Sequence, residues 1–331
     1  MTAYYRPLWE LHLKPARHLV KPSTTFFLLA ITAAVTSSTS TSPTMDLISS
    51  TTNEHAGALA AVKLFLSSLG KHQTLVEYIN PESFYIKASP GHPLIHSTLA
   101  QYVSNTESTF DNFRNNGVET VEVVPLDKRH QEVWVYDNLA AVWMDTETRL
   151  DGRVDSTCVN LFTLHKYEKV WKVSAIACEQ LRDENIGYEI STDALEIVKP
   201  INTLFQHLTN QNWDGFLSIL APGFGASISR PQTTAPSPLV LGPRAFIDRL
   251  KEVFATSPGA TFEEKIFDFE TRRATGTQFA FAWTPFIVDK DDVTQSRGTN
   301  VFTLDLGDGR KGGGTDCTWL ITGIQDTSRP V

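Results

Sequence analysis

The chain has 331 residues, 41% of them hydrophobic and 20% charged, which is the balance of an ordinary globular protein with about two domains of roughly 150 residues each. Its formal net charge of −8 argues against the broad basic face that nucleic acids and anionic membranes require, so we expect no nucleic-acid partner. The three cysteines are too few for a disulfide framework and lack zinc-site spacing, so we expect no metal.

The first 48 residues are predicted to lie outside the folded domains, as a disordered or targeting tail. Basic residues precede an apolar run from Phe26 to Val35, which is shorter than the roughly 20 residues that span a bilayer, and a Ser/Thr tract follows. If this segment is a targeting signal, the protein is secreted or organellar. If Met45 is the working start, the protein is cytoplasmic, which is our first expectation.

Two stretches of sequence recur at one fixed distance. Ala140–Trp143 matches Ala280–Trp283 (283 − 143 = 140), and Asn160–Leu164 matches Asn300–Leu304 (300 − 160 = 140). The pattern predicts two copies of one domain in tandem. The predicted limits are 49–185 for the first copy and 186–331 for a linker with the second copy.

Helices are predicted to come before strands in each copy. Apolar residues at helical spacing predict a first helix that begins at a Thr51 cap and ends at Gly70. The other helices are predicted at Gln73–Tyr78 and Thr98–Arg114 in the first copy, and at Ile197–Leu208, Trp213–Leu220 and Pro243–Ala255 in the second, with Pro200 starting or kinking the first of these.

A long β-hairpin follows the helices of the first copy. Alternating residues from Val133 to Glu147, an Asp151-Gly152 turn and a return strand to Leu164 predict it, and a further strand runs to Cys178. Helices followed by a meandering sheet predict the α+β class. We therefore expect two cone-shaped domains, each with its helices packed on the concave face of a curved antiparallel sheet.

The strand residues resemble a known superfamily. Ala-x-x-Trp, a polar hairpin, Asn-x-Phe-Thr-Leu and a final Trp-[Lys/Leu]-[Val/Ile]-x-x-Ile are similar to the carboxyl half of nuclear transport factor 2-like (NTF2-like) proteins, among them the SnoaL-like polyketide cyclases and fungal dehydratases and isomerases. The resemblance covers both copies, from Thr51 to Ile324. Because the superfamily spans enzymes, binders and transport adaptors, it indicates fold better than function.

Two functions are compatible with that resemblance. The first is a small-molecule-binding SnoaL-like protein of secondary metabolism, whose ligand is apolar or carbonyl-bearing. If it is catalytic, the reaction would be cofactor-free cyclisation, isomerisation or dehydration. The alternative is a non-catalytic tandem interaction or scaffold module with plugged cones, which could also self-associate through its sheet faces.

The Asp151-Gly152 turn predicts a register in which paired residue numbers sum to 303 (151 + 152 = 303). It sets Trp143 opposite Asn160 and Asp145 opposite Cys158, with all of them on one face of the sheet. A pocket needs such a combination of apolar walls and a few polar groups. Alternatively, the aromatic residues are core and Asp145 lies at a wet rim.

The candidate site residues are assigned roles on this register. Asp145 would act as acid or base, and Asn160 would donate a hydrogen bond to an enolate. His96, unless it is an exposed loop residue, would relay protons to Asp145. The second copy has Pro285 where the first has Asp145, so chemistry is expected in the first copy. The predicted ligand-binding residues are Trp143, Asn160, Phe162 and Tyr102.

Overall fold

The structure is a computed structural model that describes residues 46–71, 77–88, 94–126, 131–181, 194–229, 239–273, 278–307 and 318–331. Several sequence-based predictions lie outside these residues. They are the amino-terminal tail up to residue 45, most of the helix predicted at 73–78, the linker between the copies and the hairpin loop after residue 307.

The described part contains five helices and fourteen strands. The helices are α1 (Asp46–Ser68), α2 (Leu99–Asn115), α3 (Ala194–Thr209), α4 (Trp213–Ile219) and α5 (Pro243–Ala255). The strands of the first copy are β1 (Ile79–Ala88), β2 (Ile95–Thr98), β3 (Val121–Pro125), β4 (Glu132–Tyr136), β5 (Leu139–Leu150), β6 (Arg153–Tyr167) and β7 (Val170–Leu181). Those of the second are β8 (Leu220–Ser229), β9 (Leu239–Leu241), β10 (Phe262–Ile266), β11 (Glu270–Arg273), β12 (Phe279–Lys290), β13 (Val293–Gly307) and β14 (Thr318–Pro330).

Each copy forms one sheet of seven strands, and the two sheets have the same topology. The order is β2-β1-β7-β6-β5 in the first copy and β9-β8-β14-β13-β12 in the second. Two short strands pair with each long outer strand, β3 and β4 with β5, and β10 and β11 with β12. The α+β prediction is confirmed, with one change. Each sheet contains a parallel pair, β1–β7 and β8–β14, formed by its first and last long strands.

Helices cover one face of each sheet, as predicted. In α1 the buried residues Ala58, Val62 and Phe65 recur every three or four positions and pack on that face. The helix begins at Asp46 instead of the predicted Thr51. The other helices of the described part match their predicted positions to within about three residues, and Pro200 lies inside α3.

The opposite faces of the two sheets pack against each other, and we call this contact the sheet–sheet interface. Its buried apolar residues are Phe84, Ile86, Trp134, Leu139, Ala141, Trp143, Val159, Leu161, Ala175 and Ala177 from the first copy, and Phe279, Phe281, Trp283 and Val301 from the second. The two copies therefore share one continuous core. Burial of both apolar sheet faces stabilises this contact, since it removes a large apolar area from water.

Hydrogen bonds across the interface follow an approximate twofold relation. Asn138 and Gln278 are equivalent positions (278 − 138 = 140). Asn138 Oδ1 accepts from Thr327 Oγ1 at 2.5 Å, and the Gln278 backbone N–H donates to Glu179 Oε2 at 2.7 Å. Thr327 and Glu179 are also equivalent, since each lies three residues after the isoleucine of the last repeated motif. Reciprocal contacts of this kind are typical of a symmetric dimer, here within one chain.

Candidate functional site

The hairpin between β5 and β6 has a β-bulge that the sequence did not reveal. Next to the turn the predicted register holds, with Leu150 opposite Arg153, but it shifts by one residue between Thr148 and Arg149. From there on Trp143 lies opposite Leu161, and Asn160 lies opposite Met144. A one-residue shift moves a strand's side chains to the other face of the sheet. The predicted grouping of Trp143 and Asp145 with Asn160 is therefore wrong.

Trp143 and Asp145 lie on the face of the sheet that packs against the second copy. Trp143 is 1% exposed and stacks on Phe279 and Phe281, with ring centroids 5.5 and 5.4 Å away. Asp145 is buried on the same face, two residues along β5. Neither side chain faces the cone of its own domain. Both therefore belong to the sheet–sheet interface.

His96 also lies on the interface side of the sheet, in β2. It is opposite Ile86, and its ring lies so close to Gly223 that a Cβ there would be 2.1 Å from His96 Cδ2. Burial lowers the pKa of His96, which favours the neutral ring. Because β1, β7 and β6 lie between β2 and β5, the strands that carry His96 and Asp145 are about 19 Å apart measured across the sheet, at roughly 4.8 Å per strand. That distance is too great for the predicted proton relay.

Asn160, Phe162 and Tyr102 lie on the concave side, where the cone is. Asn160 Nδ2 donates to Thr146 Oγ1 at 2.9 Å and to the Cys158 carbonyl at 3.1 Å, so the amide hydrogens are used within the sheet. Phe162 packs into the core below, with its ring centroid 6.3 Å from that of Phe65. Of the four predicted ligand-binding residues, these three lie on the helix-covered side of the sheet, and Trp143 lies on the other side.

The structure places several unpredicted polar residues beside Tyr102, near the ends of β1 and β7. We call the group the cone-mouth cluster; it consists of Tyr85, Lys87, Tyr102, Cys158, Cys178 and Gln180. Tyr102 stacks on Tyr85, with centroids 4.1 Å apart and ring planes at 21°. Tyr85 Oη lies 3.3 Å from Cys178 Sγ, and Lys87 Nζ donates to Gln180 Oε1 at 2.6 Å. Lys87, Tyr102, Cys158 and Gln180 remain partly exposed.

The hydroxyls and thiols of the cone-mouth cluster are held in their protonated forms. Burial raises the pKa of both tyrosines well above the ordinary value, and the neighbouring cysteines raise it further. Burial likewise raises the pKa of Cys158 to about 12 and that of Cys178 above its usual range. At neutral pH these groups are uncharged hydrogen-bond donors, because desolvation disfavours the phenolate and the thiolate.

The equivalent positions of the second copy are filled differently. Gly298 stands where the first copy has Cys158 (298 − 158 = 140), and Phe286 stands where it has Thr146 (286 − 146 = 140). Phe286 is 3% exposed and covers Gly298, because a Cβ on that glycine would be 2.5 Å from Phe286 Cζ. The pairing of β8 with β14 puts Ile228 in the place of Lys87. Phe286 therefore covers the position where the first copy has Cys158, while the polar residues Asp326 and Ser328 stand at the positions of Cys178 and Gln180.

The sequence contained a partial signal for the cone-mouth cluster. Comparison of the two copies at the 140-residue offset shows Thr146 and Cys158 against Phe286 and Gly298. The contribution of Tyr85, Lys87 and Gln180 could not be found in that way, because it depends on the parallel pairing of β1 with β7, which are far apart in sequence.

Comparisons with solved structures find proteins of similar fold. They include an NTF2-like protein from Pseudomonas putida (13% identity, TM-score 0.33, covering 42% of this chain and 89% of that one), Aln2 from a Streptomyces species (12%, 0.33, 42% and 93%) and ActVI-ORFA from Streptomyces coelicolor (12%, 0.32, 40% and 95%). Each match covers most of the solved chain and about two fifths of this chain.

No family model and no curated protein matches this sequence. Within the residues that the structure describes, no group of three or more His, Cys, Asp or Glu side chains could hold a metal ion. None of the helices in that same part is long and apolar enough to cross a membrane.

Proposed function

We propose that the first copy binds a small organic molecule at its cone-mouth cluster, and that the second copy supports it structurally. The observation that carries this proposal is the difference between the two cones. The first has partly exposed hydrogen-bonding groups at its mouth, whereas Phe286 covers the position of Cys158 in the second. A small-molecule site combines apolar walls with a few polar groups that orient the ligand, and the first cone offers both.

Binding without proton transfer fits the cone-mouth cluster better than catalysis. The tyrosines and cysteines are held protonated, so they can donate hydrogen bonds to a carbonyl or carboxylate oxygen but are poor bases. The carboxylate and the imidazole predicted to move protons lie on the other side of the sheet, at the interface. The cyclase, isomerase and dehydratase activities implied by the resemblance have no support from those two residues.

The test is a titration of the full chain with a panel of aromatic ketones, followed by calorimetry and by proton NMR of the compounds. Tyr102→Leu removes an aromatic ring from the first cone. Phe246→Leu removes the equivalent ring from the second, since Tyr102 and Phe246 both lie four residues after the N-cap of their helix. Thermal melts of both variants show whether each folds.

We expect Tyr102→Leu to weaken binding at least about tenfold, which corresponds to about 1.4 kcal/mol, and Phe246→Leu to leave the affinity unchanged while lowering the melting temperature. Equal losses of affinity in the two variants would contradict the assignment of the site to the first cone. Chemical conversion of a bound ketone would contradict binding without turnover.

A further inference from the structure

Two lysines lie on the concave side of the first sheet, and they have different partners. Lys166, beside the turn between β6 and β7, forms an ion pair with Glu54 at 2.5 Å and lies 5.5 Å from the centroid of the Trp171 ring. Lys87, at the mouth, donates to the neutral amide oxygen of Gln180 at 2.6 Å. The first cation is therefore neutralised within the protein. Among the described residues, no carboxylate forms an ion pair with the second.

Among the described residues, the cysteines on the same face as Lys87 are uncharged hydrogen-bond donors. Cys158 and Cys178 are on the neighbouring strands, and their raised pKa values keep them uncharged at neutral pH. An ammonium beside partly buried neutral groups is less well solvated than one in bulk water. Its attraction for an anion is correspondingly stronger, because the effective dielectric constant is lower. An ammonium–carboxylate hydrogen bond is also stronger than one between neutral groups.

The two stacked tyrosines supply a flat apolar surface close to this cation. Tyr85 is buried, whereas Tyr102 is partly exposed on α2 and can be contacted by a ligand. Aromatic rings favour offset stacking with other aromatic rings, at centroid distances of about 4.5–7 Å. A flat ring with one anionic oxygen would satisfy both features of the site at once.

We infer that the ligand of the first cone is an aromatic organic anion, with a carboxylate or phenolate oxygen on Lys87 Nζ and its ring against Tyr102. This inference rests on the proposed function, because it assigns a ligand class to the same site. The second cone cannot take such a ligand in this way, since Ile228 replaces the lysine and Phe286 occupies the space above Gly298.

The experiment compares two probes that differ only in charge, 2-naphthoate and methyl 2-naphthoate, by calorimetry on the full chain at pH 7. We expect the anion to bind at least about tenfold more tightly than the ester, as one charge-assisted hydrogen bond contributes about 1.5–3 kcal/mol. Lys87→Met should abolish that preference and Lys87→Arg should keep it. Lys166→Met makes the same charge change beside the β6–β7 turn and should leave the preference intact.

The outcomes separate the inference from the proposed function. If both probes bind equally and Lys87→Met changes nothing, the ligand class is wrong and a small-molecule site remains. If the preference for naphthoate persists in Lys87→Met, the anion is held elsewhere and the inference fails. If neither naphthoate, the ester nor the ketone panel binds, both the inference and the proposed function are overturned. Thermal melts of the lysine variants control for unfolding.

Discussion

Glu132 on β4 of the first copy and Arg272 on β11 of the second form an ion pair across the sheet–sheet interface. Arg272 Nε lies 2.9 Å from Glu132 Oε1, and Nη2 lies 2.5 Å from Oε2. Glu132 and Glu270 are the equivalent positions, because they lie opposite Trp143 and Trp283. The reciprocal contact is made by Trp134, whose Nε1 donates to Glu270 Oε2 at 2.7 Å, as expected for an approximate twofold relation. Arg272 also lies 5.2 Å from the centroid of the Trp134 ring.

Exchange of these charges tests whether the pair contributes to the stability of the interface. Glu132→Arg would place two guanidinium groups together and should lower the free energy of unfolding by about 1–2 kcal/mol, between the values for surface and buried pairs. Adding Arg272→Glu restores an opposite pair and should recover most of the loss. Urea unfolding of the two single variants and the double variant gives the coupling energy. A coupling energy near zero would show that the pair contributes nothing.

Gly225 allows the first copy to approach the second closely. A Cβ at this position would be 2.8 Å from Phe84 Cδ1, across the sheet–sheet interface. Gly225→Ala should therefore destabilise the protein by about 1–3 kcal/mol, because a packed interface tolerates little added volume. Phe84→Leu added to Gly225→Ala should relieve part of that loss. If chemical denaturation shows Gly225→Ala to be as stable as the wild type, the close packing is not as the structure shows it.

Glu179 makes the interface sensitive to pH. Its pKa is raised from 4.5 to about 7, mainly by burial and also by the charge of Asp305, and the backbone N–H groups of Gln278 and Phe279 and the charge of Arg273 limit the rise. The folded state therefore retains a proton that the unfolded chain loses above about pH 4.5. The stabilising contribution is present at low pH and is lost as the pH rises towards 7.

His165 changes the stability with pH in the opposite direction. The quantity to measure is therefore the difference in the free energy of unfolding between Glu179→Gln and the wild type. Burial lowers the pKa of His165 from 6.5 to about 4, and its stabilising contribution is lost as the pH falls through that range. Glu179→Gln should remove the pH-dependent contribution of Glu179 and leave that of His165. Its stability relative to the wild type should increase by a few kcal/mol between pH 4.5 and pH 7, at about 1.4 kcal/mol per pK unit. A constant difference across that range would refute a raised pKa at Glu179.

The repeat also suggests a stabilising change in the second copy. Thr98 caps α2 by accepting from the Gln101 backbone N–H at 3.1 Å, whereas Gly242, at the N-cap of α5, has no side chain to do so. Gly242 has extended backbone angles, with φ −79° and ψ 177°, and a Cβ there would meet nothing within 4 Å. Gly242→Ser should stabilise the protein by about 0.5 kcal/mol, through capping and a less flexible unfolded chain. Gly242→Ala retains only the second effect, and equal stability of the two variants would argue against capping.

Local sequence was sufficient to predict the repeat, most helices and the turn of the long hairpin. Apolar residues at helical spacing mark the buried face of α1 because those side chains must reach the sheet. Asp151 and Gly152 both have positive φ, 49° and 75°, which is the backbone of the tight turn that an Asp-Gly pair favours. Such features depend on neighbouring residues, so they can be recognised in a single sequence.

Local sequence could not determine which side of the sheet forms the site. The bulge after Thr148 turns Trp143 and Asp145 towards the second copy, and a bulge of the same kind follows Val288, 140 residues later (288 − 148 = 140). Both faces of β5 are rich in apolar residues, so alternation alone does not distinguish the face under the helices from the face at the interface. The cone-mouth cluster likewise depends on β1 pairing in parallel with β7. These contacts join distant residues, and only the packing of the two sheets and their helices selects them.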